Sequence, residues 1–165
     1  MRIRVLSVVV LVASAALLVG LPGRATFSLG TGCPELVPPT VRPTLHSSGR
    51  LVPFGAQTLL LCRYRGLNAG AGARRLRSAR LLRIRAQIEA IAALLNALPQ
   101  ISGIHCPMDD GSEIVASFSY PGGARLVVQI GLTGCRTVTS TRLPVRTASG
   151  PSGARLITRL ERLVR

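Results

Sequence analysis

The chain has 165 residues, 47% of them hydrophobic and 16% charged, which suits one domain with its own apolar core. Its 21 basic residues are all Arg, with no Lys, and against six acidic residues they give a formal net charge of +15. Aromatics at 3% and the absence of Trp argue against carbohydrate platforms and base-stacking surfaces. The composition is not that of a collagen, a coiled coil or a polytopic membrane protein.

Residues 1–25 have the form of a secretory signal. Arg2 and Arg4 precede an apolar run over 5–21, and Gly23-Arg24-Ala25 places small residues at the −3 and −1 positions of a cleavage site. Cleavage after Ala25 is expected, with no membrane span left in the secreted or envelope-associated chain. Two other readings stay open. The run is about 17 residues, the short limit for an uncleaved anchor, and Thr31-Gly32 precede Cys33 as in a lipidation signal, although Gly30 stands where an aliphatic residue belongs.

Four cysteines follow: Cys33, Cys62, Cys106 and Cys135. An even count outside the cytosol reads as two disulfides with three pairings open. No C-x2-C pair occurs, and His46 and His105 are the only other soft ligands, so neither zinc nor any other cofactor is expected.

Residues 26–53 carry Pro34, Pro38, Pro39, Pro43 and Pro53 and predict an extended lead-in, pinned to the body by Cys33. The short apolar run 57–64, bounded by Gly55 and Gly66, predicts a buried strand. Gly70 and Gly72 mark 67–73 as a flexible loop, and 76–82 reads as a returning strand in preference to the first turns of the helix that follows. Ile84, Ile88, Ile91, Leu95 and Leu98 recur at steps of four and three, which predicts a helix over 83–98 stopped by Pro99.

Ile114, Ala116, Phe118 and Tyr120 then alternate with polar positions, as do Leu126, Val128, Ile130 and Leu132 on the next run. A three-residue loop, Pro121-Gly122-Gly123, pairs Tyr120 with Ala124 and sets Phe118 opposite Leu126, Ala116 opposite Val128 and Ile114 opposite Ile130. That register also brings Cys135 opposite Asp109. Cys106–Cys135 is thereby favoured, leaving Cys33–Cys62. After turn-rich 147–153, residues 154–164 predict a short helix with Leu156, Leu160, Leu163 and Val164 on one face. The expected architecture is α+β: one domain over 54–165, with a small antiparallel sheet of two hairpins packed on one amphipathic helix. A short C-terminal helix and disulfide staples complete it.

Two clusters carry charge. Arg74, Arg75, Arg77, Arg80, Arg83 and Arg85 read either as an anion site or as a solvated face of a codon-biased chain. Asp109 and Asp110, with Glu113 close by, read as an Asp-Asp-Gly turn rather than a calcium loop. No nucleophile elbow, H-E-x-x-H or phosphate-cradling loop is present, and His46 and His105 stand 59 positions apart, so no enzyme is expected. No nucleic-acid-binding fingerprint accompanies the Arg cluster. The chain reads as a non-catalytic binding domain, with an anionic envelope polymer as one partner class.

The ordered pieces L-L-L-C-R-Y (59–64), A-L-L-N-A-L-P (93–99), C-P-M-D-D-G (106–111), S-Y-P-G-G (119–123) and G-C-R-T-V-T (134–139) resemble a group of exported actinobacterial proteins. That likeness implies secretion and a compact α+β domain, and no activity. A fainter one points to the subtilisin-inhibitor family of secreted protease inhibitors. It rests on Cys62 in a strand, Leu95-Asn96-Ala97-Leu98 ending a helix, Cys106-Pro107-Met108, a hairpin and Cys135. It implies a secreted serine protease as partner and an inhibitory loop of Pro107, Met108 and Asp109 within 106–111, with the scissile bond after Met108. Asp109 stands where that family has an apolar residue, and no Cys lies between Cys62 and Cys106.

Overall fold

Among the described residues, a six-stranded antiparallel sheet frames the computed structural model. Its strands are β1 (Thr58–Tyr64), β2 (Leu76–Leu82), β3 (Glu113–Ser119), β4 (Arg125–Gly131), β5 (Thr137–Ser140) and β6 (Arg146–Thr147), ordered β2-β1-β3-β4-β5-β6. The structure describes residues 32–40, 50–102, 106, 108–141 and 145–165. The signal over 1–25, lead-in residues 26–31 and 41–49, His46, His105 and Pro107 lie outside them.

The β3–β4 hairpin has the register that the alternation demands: Phe118 faces Leu126, Ala116 faces Val128 and Ile114 faces Ile130. Its turn, Pro121–Gly123, closes with the Tyr120 amide donating to the Ala124 carbonyl at 2.9 Å. Gly122 and Gly123 both hold positive φ, which a side chain would resist. β5 and β6 extend the sheet beyond the two hairpins expected.

One sheet face carries Leu59, Leu61, Ile114, Ala116, Phe118, Leu126, Val128 and Ile130, all buried. The helices α1 (Arg85–Asn96) and α2 (Gly150–Leu163) feed the same core through Ile88, Ile91 and Leu95 and through Leu156, Ile157 and Leu160. α1 is shorter than the apolar stripe suggested. Ile84 is its extended N-cap and is exposed, and the chain leaves the helix at Ala97 before buried Leu98. Buried Arg146 donates from Nη1 to the carbonyls of Asn96 and Leu98, so an arginine closes the helix end.

α2 starts four residues earlier than expected, because Gly150, Pro151 and Ser152 form its first turn rather than a loop; Pro near a helix start forfeits no internal hydrogen bond. Inside α2, a Cβ on Gly153 would land on the Ala148 carbonyl. Gly153→Ala, normally favourable in a helix, is therefore expected to lower stability by about 1–3 kcal/mol in urea unfolding. An unchanged or raised midpoint would show that the helix start can shift.

The second face is crossed by residues 33–40. Cys33 bonds to Cys62, Val37 packs with Tyr64 and Val115, and the Tyr64 hydroxyl donates to the Pro34 carbonyl at 3.0 Å. Gln129 Nε2 reaches the carbonyls of Pro38 and Pro39. Burial holds the Tyr64 hydroxyl on its proton, with its pKa pushed up to about 12. The proline-rich lead-in thus works as a strap, and its later residues Leu51 and Val52 are fully buried on the helix side, where Asn96 pairs with the Val52 backbone. The loop expected over 67–73 holds a 3-10 turn, Leu67–Gly72, hydrogen-bonded to its neighbours. No helix among the described residues is long and apolar enough to cross a membrane.

Candidate functional site

At one end of the sheet, the segment entering β3 and the segment leaving β4 lie side by side. The disulfide Cys106–Cys135 ties them together. Met108 sits in a turn just beyond Cys106 and is 82% exposed, the most exposed large apolar side chain described. Of the suggested loop, Cys106 is bridged to Cys135 and Met108 and Asp109 follow it in the chain, while Pro107 lies outside the described residues.

The residues after Met108 turn inward. Asp109 Oδ1 accepts from the Gly111 amide at 2.8 Å, and Asp110 Oδ1 accepts from the Ser112 amide at 2.8 Å. These are the backbone-directed Asp contacts expected of an Asp-Asp-Gly turn. The Thr133 hydroxyl lies 2.6 Å from Asp110 Oδ1 and 3.1 Å from Asp109 Oδ1, so its single proton goes to the nearer carboxylate. It accepts in turn from the Asp110 amide at 3.2 Å. The hydrogen bond from Thr133, helped by Ser112, holds the Asp110 carboxyl below its ordinary range.

Two glycines let this loop seat. Gly134, at positive φ, lies against Asp109, where a Cβ would come within 2.8 Å of the Asp109 Cβ. Gly66 gives the same room to the Asp110 carboxyl, and the Leu67 amide donates to the Asp110 carbonyl at 2.6 Å. Residues 133–135 therefore hold the loop on both sides of Met108: through sulfur before it, and through hydroxyl and close backbone packing after it. Thr133 carries no motif of its own, and Gly134 enters only as the opening residue of G-C-R-T-V-T (134–139). The only sequence signal for their role was their place just ahead of Cys135.

Beneath the loop, Thr40, Arg74, Asp109, Glu113, Gln129 and Thr139 border a polar hollow of about 170 Å³. Glu113 stands opposite Tyr64 on one side and Gly131 on the other. Burial pushes its carboxyl up to about 7; Arg74 opposes that rise and Asp109 adds to it.

The six clustered arginines are all exposed but do not form one patch. Arg75 pairs with Glu35 and Arg85 with Glu89. Arg74 borders the hollow with Glu113, while Arg77 lines a separate one with Arg63, Arg65 and Asp110. Arg80 projects from edge strand β2 and Arg83 from the link to α1. Charges on an edge strand also discourage sheet-to-sheet pairing, which accounts for part of the cluster without a ligand. Among the described residues no group of three His, Cys, Asp or Glu could hold a metal ion.

Fold and site together define an α+β domain, stapled by two disulfides, that presents one exposed apolar side chain from a braced loop. No family model, curated protein or solved structure matches the chain.

Proposed function

We propose that this chain is an exported, non-catalytic binding domain whose contact element is loop 106–111. Its partner would be a secreted serine protease, engaged as a substrate mimic with Met108 in the primary specificity pocket. One observation carries the reading: Met108 is held out in solvent while the chain on both sides of it is fixed to 133–135. A loop ordered before binding loses little conformational entropy on docking, and tight, slowly cleaved substrate mimicry depends on that. Met is unbranched and apolar, and suits a broad hydrophobic pocket.

Asp109, at the position following the scissile bond, would oppose docking if its carboxylate had to be desolvated there. Its hydrogen bond to the Gly111 amide and its position beside Thr133 turn the charge back onto the protein's own loop. Export rests on the apolar N-terminal run and on two disulfides, which persist in oxidising compartments. Cys33, bridged to Cys62, has its sulfur engaged and not free for lipid.

Titrating subtilisin with the oxidised protein tests the reading. Stoichiometric loss of protease activity is expected, and Met108→Gly should weaken inhibition by about 100-fold, the scale of removing one buried anchor side chain worth about 2–3 kcal/mol. Full protease activity at micromolar protein would end the proposal. Equal inhibition by Met108→Gly would move the binding element elsewhere.

A further inference from the structure

The chain has six carboxylate side chains against 21 arginines, and each of the six has a structural role. Glu35, Glu89 and Glu161 pair with Arg75, Arg85 and Arg63. Asp109 and Asp110 brace the loop, and Glu113 shares its hollow with Arg74. The only carboxylate on α2, Glu161, is therefore already taken by Arg63 at 3.0 Å.

Arg155, Arg159 and Arg162 are left on α2 without an acidic partner among the described residues, and all three are exposed. Steps of four and three place them on one helix face, a row about 10 Å long at 1.5 Å per residue. With Ala154, Thr158 and Leu163 they border a surface hollow. The opposite face, through Leu156, Ile157 and Leu160, is buried in the core, so the row's outward direction is fixed. Arg155 also donates to the Ser152 hydroxyl, which orients the first guanidinium of the row.

We propose that the Arg155–Arg159–Arg162 face of α2 is a docking surface for a linear phosphodiester polymer of the cell envelope. Charge complementarity selects the chemistry: a row of guanidiniums, none of them paired with a carboxylate among the described residues, meets a chain of regularly repeated single negative charges, and each planar fork can bind phosphate oxygens in pairs. A lipid surface fits less well, because the apolar side of α2 is used up in the core and leaves nothing to insert. This surface differs from the 74–85 cluster, where two of the six arginines are neutralised by carboxylates. It is also independent of the protease reading.

The test is binding of the full oxidised protein to immobilised poly(glycerol phosphate) across a salt series. Two triple variants of equal charge are compared: Arg155→Gln/Arg159→Gln/Arg162→Gln and Arg77→Gln/Arg80→Gln/Arg83→Gln. Both substitute exposed positions and, in α2, keep good helix propensity. The α2 variant is expected to bind at least about tenfold more weakly and to flatten the log–log salt slope by about 2, at roughly 0.7 for each phosphate no longer neutralised. The β2-side variant should change affinity by less than about threefold. Equal weakening in both would mean attraction by net charge alone and would overturn the proposal. So would an absence of polymer binding at low salt, or a preference for anionic vesicles or single-stranded nucleic acid over the polymer.

Discussion

Replacing Cys106 and Cys135 together with alanine is expected to lower unfolding free energy by about 3–4 kcal/mol and to abolish protease inhibition. Both bridges span 29 positions, so on the chain-entropy model Cys33→Ala/Cys62→Ala should cost a similar amount. The two double variants part company in function. Cys33–Cys62 ties the strap 33–40 to β1, on the face turned away from the helices, and packs with Val37, Tyr64 and Val115 rather than with loop 106–111. Cys106–Cys135 is the covalent half of the clamp on Met108; without it, among the described residues, the loop keeps the hydrogen bonds and packing after Met108. Urea unfolding followed by circular dichroism, together with subtilisin titration of each variant at a temperature where both remain folded, separates the effects. Undiminished inhibition by the Cys106/Cys135 variant would show that the covalent tether contributes nothing to the loop.

What the sequence discloses and what it hides divide along locality. The β3–β4 register is legible because two alternating runs and a Pro-Gly-Gly turn lie within twenty residues of one another, and only one loop length puts both apolar faces on the same side. From that register the Cys106–Cys135 bridge follows. The stripe of α1 is equally local, but its ends are not: Ile84 has the right spacing and yet lies outside the helix, exposed to solvent.

Strand β5 is four residues and β6 two, too short for a period to show, and both exist through pairing with what precedes them. The strap's extended course and its tether at Cys33 are legible in the sequence, but its burial is not, because β1, β3 and β4 supply that burial rather than its own apolar content. The arginine cluster is the reverse case. Six charges adjacent in sequence are drawn apart once β2 enters the sheet, with Arg75 and Arg85 turned toward carboxylates at positions 35 and 89. Thr133 braces a loop more than twenty residues upstream, and no pattern around it could announce that role.

Stability should fall as pH rises from about 4.5 to about 7, and Glu113 sets that slope. Glu113 pairs across the sheet with Tyr64 and Gly131, and burial of its carboxyl outweighs the attraction of Arg74, so its pKa goes from 4.5 up to about 7. The folded state therefore favours the protonated form. Below about pH 4.5 both states hold the proton and Glu113 imposes no pH-dependent cost. Between 4.5 and 7 the unfolded chain releases its proton first and stability drops; above 7 both states are ionised and the loss is complete. The full shift would correspond to about 3 kcal/mol. The carboxyl retains some solvent contact, so about 1–2 kcal/mol is expected after screening. Asp110 acts with the opposite sign in a separate window: its lowered pKa stabilises the fold above its unfolded value near 3.8 and is lost in stronger acid. Tyr64 titrates far above both. Glu113→Gln keeps the shape and removes the charge, so it should be more stable than the parent at pH 8, match it near pH 4.5 and lose the slope between. His46 and His105 are present in both proteins and cancel from the difference. Urea midpoints at pH 4.5, 6 and 8 decide it, and parallel curves for the two proteins would place the slope elsewhere.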